Sequence, residues 1–146
     1  MNTPLVGLDG PAGSERGLAR TLRLFGAHCG LLALAEVVHF EAAESATRTD
    51  VDAAAQRLAK LANGVQIGGV VHTEVLAGAP GPTLRGFAEQ QNMDLLVLGR
   101  RGRDLSTRLL GSVSADVIQH SPVPVLVIEP VDNPERIAAD DQRGKG

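Results

Sequence analysis

Hydrophobic residues in this chain form two kinds of pattern, which alternate along its length. Short runs rich in Val and Leu predict five strands, and apolar residues spaced three or four apart predict four helices. The predicted strands are Pro4 to Asp9, Leu31 to Val38, Val70 to Leu76, Asp94 to Leu98 and Pro124 to Ile128. The predicted helices begin after residue 13, near Asp50, after residue 82 and at Ser112. This alternation predicts an α/β fold with a doubly wound parallel sheet, because parallel neighbours require crossover connections.

The end of the fourth predicted strand carries the strongest functional signal. Asp94 to Leu98 is the most continuously apolar run, as expected for a strand covered by helices on both faces. It leads directly into GRRGRDLSTRLLGS, residues 99 to 112. In doubly wound sheets, ligands bind outside the carboxyl ends of the strands, where the strand order reverses. The segment therefore starts where a ligand site is expected.

Glycines in this segment favour an anion site. Gly99 and Gly102 permit a sharp turn that exposes backbone N–H groups, because glycine adopts positive φ without steric cost. Gly111 and Ser112 stand at the predicted start of the last helix, where free N–H groups and the helix dipole favour a phosphate. An ordinary turn followed by a helix with Ser112 as its N-cap is the alternative that these residues leave open.

Four arginines make the same segment locally basic. They are Arg100, Arg101, Arg103 and Arg108. Long charged side chains in a surface loop are usually solvated, so we expect one or two of the four to contact phosphate. Arg101 and Arg103 are the two that we predict.

The composition argues against several classes of partner. The chain has 14 basic and 17 acidic residues and a net charge of −3, so no global positive field attracts nucleic acid or an anionic membrane. Trp and Tyr are absent, which leaves few platforms for stacking on bases. The single Cys excludes an internal disulfide, and no apolar run has the length of a membrane span. We expect a cytoplasmic protein that neither binds nucleic acid nor inserts into a membrane.

The length of 146 residues is that of one domain, which we assign to residues 1–130. Residues 131–146 shift to polar and charged types without an apolar face. We expect them to form a flexible C-terminal tail.

Seven short segments spread over residues 4 to 130 resemble the universal stress protein family. They are LVGLDG, EVV, TEVLAGAP, DLLVLG, GRRG, LLGSVSADVI and SPVPVLVI. Nucleotide-binding members of that family carry the pattern G-x2-G-x9-G-[ST], which Gly99, Gly102, Gly111 and Ser112 match in order. Eight residues separate Gly102 from Gly111 here, one fewer than the pattern has. The resemblance implies an adenine nucleotide alpha hydrolase-like fold with four helices, three α/β/α layers and strand order 3-2-1-4-5.

The resemblance also implies a set of nucleotide-binding residues. Asp9 matches an aspartate beside the nucleotide, and Val37 matches a residue whose main chain binds the adenine edge. Gly99 and Gly102 match residues that border the ribose and phosphates. The complete implied set is Gly7, Leu8, Asp9, Val37, Leu98, Gly99, Arg101, Gly102, Arg103, Gly111, Ser112, Val113 and Ser114. For Asp9, an Asx turn that caps the following loop is the open alternative.

Other polar or reactive residues give weaker signals. The histidines, His28, His39, His72 and His120, show no metal-ligand spacing, so no metal site is predicted from them. Cys29 continues the apolar face of the first helix and is expected to be a small buried residue. Glu36 lies inside a strand, where a carboxylate is costly unless paired or near an exposed end. It is expected to face the mouth of the cleft or a helix-capping donor.

The predicted function is that of an ATP-binding, nucleotide-responsive regulator in a stress response, with at most slow hydrolysis. No catalytic residue is predicted, since the only lysines are Lys60 and Lys145 and neither lies near the glycines. The ligand is ATP, or ADP or AMP, and Mg²⁺ is an open question. One alternative is a stress protein that binds no nucleotide and acts as a protein-interaction dimer. The other is an enzyme that processes adenine nucleotides.

A homodimer is also predicted. Val123 to Ile128 forms an apolar edge strand at the end of the sheet, and an exposed edge of this kind promotes aggregation unless it is paired. The resemblance implies pairing of this strand between two subunits. Coverage of the edge by the C-terminal tail is the alternative, and the downstream protein partner is unknown.

Overall fold

The computed structural model describes residues 3–8, 14–38, 48–99 and 112–128. Strands and helices alternate through these ranges, as the hydrophobic pattern predicts. The strands are β1 (Pro4–Leu8), β2 (Leu31–Val38), β3 (Val70–Ala77), β4 (Leu95–Gly99) and β5 (Val125–Ile128). The helices are α1 (Ser14–Phe25), α2 (Arg48–Asn63), α3 (Pro80–Gln90) and α4 (Ser112–His120). The predicted tail, residues 131–146, lies outside the described ranges.

All five strands are parallel and form one sheet in the order β3-β2-β1-β4-β5. The predicted strand order is therefore confirmed. From β1 the chain moves outward through β2 to β3, and then crosses back to add β4 and β5 on the other side. The direction of winding reverses between β1 and β4, which makes this the switch point of the sheet.

Side chains that alternate along the strands build two separate cores. On one face, Val6 and Leu34 pack with Leu18 of α1 and Leu58 of α2, and we call this the α1/α2 face. On the other, the α3/α4 face, the strands contribute a set with many small residues, which packs under α3 and α4. That set is Leu5, Ala33, Ala35, Leu96 and Leu98. The structure thus has three layers, with helices on both faces of the sheet.

Most boundaries lie within two residues of the predicted ones. The helix α2 begins at Arg48 instead of Asp50, and β4 runs from Leu95 to Gly99 instead of from Asp94 to Leu98. Cys29 is not on the first helix, because α1 ends at Phe25 and a 3-10 turn, Gly26–His28, follows. Gly26 is a poor helix former, and the shift to a tighter turn there moves Cys29 out of the helical register. Its side chain is nevertheless buried in the core of the α1/α2 face, as expected.

Glu36 is paired with an arginine that the sequence analysis did not identify. The carboxylate is 6% exposed, and Arg57 of α2 donates to it from Nε to Oε2 at 3.2 Å and from a second nitrogen to Oε1. The ion pair connects α2 to β2, the strand that carries Glu36. The partner is a side chain in the middle of α2, so the expectation of a helix-capping donor is wrong, whereas the carboxylate is paired, as burial inside a strand requires. Ala54, Arg57 and Leu58 have the spacing of one helix face, which is the signal that places Arg57 toward the sheet.

The helices α3 and α4 are tied directly to each other. Nε of Arg85 donates to Oδ2 of Asp116 at 3.1 Å, and the carboxylate lies against the backbone of Gly81. A Cβ at position 81 would overlap that carboxylate, so glycine lets Asp116 keep this position beside Arg85. Among the described residues, no helix is long and apolar enough to cross a membrane.

Candidate functional site

The carboxyl edge of the sheet opens at the switch point. The ladder between β1 and β4 runs from Pro4–Leu95 to Val6–Val97, but both strands continue for two residues beyond it. Gly7 and Leu8 therefore lie across from Leu98 and Gly99 without a paired register. In doubly wound proteins, ligands bind in the crevice at a switch point. Four of the predicted site residues lie beyond the last pair of this ladder.

Val37 places a backbone carbonyl at the same edge. The N–H of Gly78 donates to the carbonyl of Val38 at 3.1 Å, so Val38 faces β3. Because successive residues of a strand point their backbone groups to opposite neighbours, the carbonyl of Val37 faces the β1 side. The ladder between β1 and β2 has its last pair at Leu8–Glu36, so no described residue of β1 lies opposite Val37. The predicted role of the Val37 main chain in binding adenine stays a prediction.

Gly7, Leu8 and Leu98 contribute backbone to this edge. A Cβ on Gly7 would lie 2.8 Å from Cδ2 of Leu98 and 3.0 Å from Cδ1 of Leu84, so glycine is needed for those two leucines to pack. The side chains of Leu8 and Leu98 are buried in opposite cores. What these three residues offer to a ligand at the edge is therefore their main chain.

The start of α4 faces the end of β4. Ser114, the third residue of α4, is 4% exposed, and its hydroxyl donates to the carbonyl of Gly99 at 2.7 Å. The first N–H groups of a helix have no partner within it, and the helix dipole makes this end partially positive. The main chain of Ser112, Val113 and Ser114 thus supplies donors suited to an anion beside Gly99.

The structure brings seven predicted residues to one edge. Contacts and strand neighbours connect Val37 to Leu8, Gly7 to Leu98, and Gly99 to Ser114, while Val113 packs on the core of the α3/α4 face. Five predicted residues lie outside the described ranges, and Ser112 is described only as the first residue of α4. Those five are Asp9, Arg101, Gly102, Arg103 and Gly111.

Charged groups near the described part of the edge are few. The hydrogen bonds from Arg57 to Glu36 raise the pKa of the Arg57 guanidinium, so this arginine stays charged and engaged with Glu36. Among the described residues, no group of three or more His, Cys, Asp or Glu side chains is placed to hold a metal ion. The described residues of the edge present main-chain donors and acceptors, which suit a ligand that carries both a hydrogen-bonding base and an anion.

Comparison with protein families decides the identity of the fold. The family model of the universal stress proteins matches residues 1–129. The chain belongs to the universal stress protein family. Among curated relatives, Universal stress protein MJ0531 of Methanocaldococcus jannaschii is 43% identical over 60 residues, which are 40% of this chain and 35% of that protein. Universal stress protein Sll1388 of Synechocystis is 44% identical over 57 residues, which are 38% of this chain and 37% of that protein. These matches span little more than a third of the length of either relative.

Solved structures share this fold. The solved structure of the hypothetical protein MJ0577 superposes with a TM-score of 0.73 at 19% identity and covers 91% of this chain and 99% of its own. The universal stress protein of Archaeoglobus fulgidus solved with dAMP gives 0.62 at 21% identity, with 88% and 98% covered. An Arabidopsis thaliana member solved with AMP bound gives 0.60 at 20% identity, with 89% and 93% covered. A universal stress protein solved with cAMP gives 0.66 at 24% identity, with 89% and 98% covered. At these identities the likeness shows the fold.

Proposed function

We propose that this universal stress protein binds an adenine nucleotide at the carboxyl edge of β1, β2 and β4 and at the N-terminus of α4. The observation that carries the proposal is the end of the β1–β4 ladder at Val6–Val97, two residues before either strand ends. A hydrogen bond from Ser114 holds the start of α4 beside Gly99. A crevice of this kind accepts a base and a ribose, and the adjoining helix start accepts a phosphate.

The family neighbours support the choice of adenine. Three of them were solved with cAMP, dAMP and AMP, which share an adenine base and a single phosphate. In this chain we assign the adenine edge to the main chain of Val37, the ribose to Asp9, and the phosphates to Gly102, Gly111 and the start of α4. Arg101 and Arg103 add charge near the phosphates. ATP is our proposed ligand, with ADP and AMP as the alternatives and Mg²⁺ as an ion that the phosphates recruit.

The proposed role is regulatory. The described residues contain main-chain donors at the site but no acid and base pair beside it, so we assign the protein to nucleotide sensing in the cytoplasm with at most slow hydrolysis. Nucleotide occupancy would alter the surface around the carboxyl edge, which the unknown downstream partner reads. A phosphate-release assay with ATP tests the expectation of slow hydrolysis, which many turnovers per minute would contradict.

Absorbance offers a direct first test of nucleotide binding. The chain has no Trp or Tyr and only three Phe, so it absorbs little at 280 nm. Adenine that copurifies with the protein will therefore dominate near 260 nm. Calorimetric titration of the apo protein with ATP, ADP and AMP, with Mg²⁺ or with EDTA, then ranks the ligands. Absence of binding at millimolar nucleotide would favour the alternative of an interaction dimer that binds no nucleotide.

Matched substitutions test the proposed residues. Gly111→Ala is expected to weaken ATP binding by about tenfold or more, because a side chain at a phosphate-binding glycine blocks close approach of the main chain. Gly86→Ala on α3 is its control, since a Cβ there meets nothing within 4 Å. Asp9→Ala is paired with Asp52→Ala, an exposed aspartate of α2. Equal effects of a site variant and its control would contradict the assignment.

We also propose that β5 pairs with its copy in a homodimer. In the described sheet β5 lies at one edge, and Val125, Leu126 and Val127 are only partly buried. The N–H of Leu96 donates to the carbonyl of Pro124, so alternate residues Val125 and Val127 turn their backbone groups to the free edge. An apolar edge with free donors and acceptors favours pairing with a second strand.

Removal of one outward N–H tests the dimer. Val127→Pro takes away a donor from the free edge without touching the ladder to β4, and Val127→Thr keeps that donor. Light scattering after size exclusion should show a monomer for the proline variant and a dimer for wild type and Val127→Thr. A monomeric wild type at micromolar concentration would contradict the proposal.

A further inference from the structure

We propose that Ser114 positions the phosphate-binding end of the site and does not bind phosphate through its hydroxyl. The inference rests on the proposed function, because it assigns a role within that site. Ser114 stands on α4 and Gly99 ends β4, fifteen positions earlier in the chain. The hydroxyl therefore connects the two elements between which a phosphate is expected.

The geometry leaves the hydroxyl no donor for a ligand. Ser114 Oγ lies 2.7 Å from the carbonyl oxygen of Gly99, and the residue is 4% exposed. A serine hydroxyl has one proton, which here goes to that carbonyl. The oxygens of an ionised phosphate are acceptors, so Ser114 Oγ cannot donate to them while this hydrogen bond stands. Only the backbone N–H of Ser114 remains available to the anion.

The hydrogen bond sets the distance between the start of α4 and the end of β4. Val117, one turn further along, is fully buried in the core of the α3/α4 face and anchors the middle of the helix. Ser114 lies on the same side of α4 as Val117, three residues earlier, and holds the first turn. Loss of the hydroxyl should therefore loosen the first turn while Val117 keeps the helix in place.

A matched pair of serines isolates this effect. Ser121 follows the other end of α4, and its hydroxyl donates to the carbonyl of Val123 at 2.7 Å. Ser114→Ala and Ser121→Ala each remove a serine-to-carbonyl hydrogen bond of 2.7 Å, at opposite ends of one helix. Ser121→Ala also removes the bond that Ser121 Oγ accepts from the N–H of Val123 at 3.2 Å, so it is the more severe loss of the two. Ser114→Thr keeps the hydroxyl and serves as the conservative variant.

Binding of AMP and of adenosine to each variant is measured by calorimetry. We expect Ser114→Ala to weaken AMP binding by about fivefold to tenfold, the value of one hydrogen bond, and to leave adenosine binding within about twofold of wild type. Ser114→Thr should restore AMP binding, and Ser121→Ala should leave both ligands unchanged. Equal losses for AMP and adenosine, or an equal loss in Ser121→Ala, would overturn the proposal.

Hydrogen exchange without nucleotide separates positioning from direct contact. The amides of Asp116 to Ile118 close the first turns of α4, so they should exchange faster in apo Ser114→Ala than in apo wild type. A residue that acts only by touching phosphate would leave apo exchange unchanged, and that result would overturn the inference. Failure of wild type to bind any nucleotide would instead overturn the proposed function. Normal binding of AMP by Ser114→Ala would overturn this inference alone.

Discussion

The two helix layers of the protein are held by different means. On the α3/α4 face, α3 and α4 pack against each other, and Arg85, Asp116 and Gly81 tie them together. On the α1/α2 face, each helix packs on the sheet, and an open groove of about 270 Å³ separates the two. Leu18 and Leu22 of α1 line the groove, with Lys60, Leu61 and Val65 on the side of α2.

This difference bears on the candidate site. In the layer that includes α4, small residues of the sheet and Gly81 allow the elements to approach closely. The helix α4 is therefore held by the core beneath it, by the bond from Arg85 of α3 to Asp116, and by the bond from Ser114 to Gly99. On the opposite face, α2 packs on the sheet through Ala54 and Leu58 and through the partly exposed Glu36–Arg57 ion pair. The ligand site thus adjoins the layer in which the two helices are joined directly to each other.

Loss of Arg57 should have the largest effect on stability. Arg57→Met leaves the buried Glu36 carboxylate without its partner, which for a buried pair costs about 3–5 kcal/mol. Because the Arg57 side chain is 37% exposed, water reaches the pair, and we expect a smaller loss of about 2 kcal/mol. Urea unfolding followed by far-UV circular dichroism measures it.

The double variant Glu36→Leu with Arg57→Met is the control for this ion pair. It removes both charges, so most of the lost stability should return. A loss below about 0.5 kcal/mol in the single variant would contradict the idea that this pair holds α2 to the sheet.

Crowding of the α3/α4 layer should have the next largest effect. Gly81→Ala forces a Cβ onto the Asp116 carboxylate, which moves away from Arg85, and the lost hydrogen bond costs about 1 kcal/mol. Gly86→Ala on the same helix meets open space and should stabilise by about 0.5–1 kcal/mol, because Ala is the better helix former. The cost of Gly81→Ala should shrink when Asp116 is also Ala. Additive effects of the two substitutions on the free energy of unfolding would refute the idea that Gly81 makes room for the Asp116 carboxylate.

The buried thiol of Cys29 adds a pH dependence to the α1/α2 layer. Burial raises the pKa of Cys29, and the positive N-terminus lowers it less. The folded pKa lies above the unfolded one, so this contribution is intact below about pH 8.5 and is lost as the pH rises. At pH 9.5 the stability lost in this way is at most about 1.4 kcal/mol, since ionisation of the unfolded thiol contributes about that much per pH unit. Unfolding free energies at pH 7.5 and 9.5 should differ less in Cys29→Ala than in wild type.

Filling the groove between α1 and α2 should have the smallest effect on stability. It should raise the free energy of unfolding, whereas crowding at Gly81 should lower it. Ala19→Leu extends an exposed α1 side chain over Leu22 and Leu61, and cavity filling commonly adds about 0.5–1 kcal/mol. Ala19→Ser serves as a control of similar size without added apolar surface. Destabilisation by Ala19→Leu would indicate that the groove between α1 and α2 has no room for a larger side chain, and the comparison would fail.

The strands, the glycines and Glu36 show which features of the structure could be predicted from the sequence. The apolar runs predicted all five strands, and the alternation with helices led to the correct sheet, because hydrophobic periodicity is set locally. The glycines and the last helix led to a candidate site at the carboxyl edge of the sheet, because parallel strands all end on one side. Glu36 was recognised as anomalous but its partner was not, since Arg57 lies twenty-one positions away and on a different element. All of the nucleotide-binding assignments stay predictions.

The sequence alone determined the element types, their order and the family pattern of glycines, because each depends on residues close together in the chain. Only the tertiary structure decided which distant groups meet. It paired Glu36 with Arg57, brought the Asp116 carboxylate to Gly81 and turned the Ser114 hydroxyl to the Gly99 carbonyl. The physical reason is that a hydrogen bond depends on distances of a few tenths of an ångström, which local periodicity does not specify.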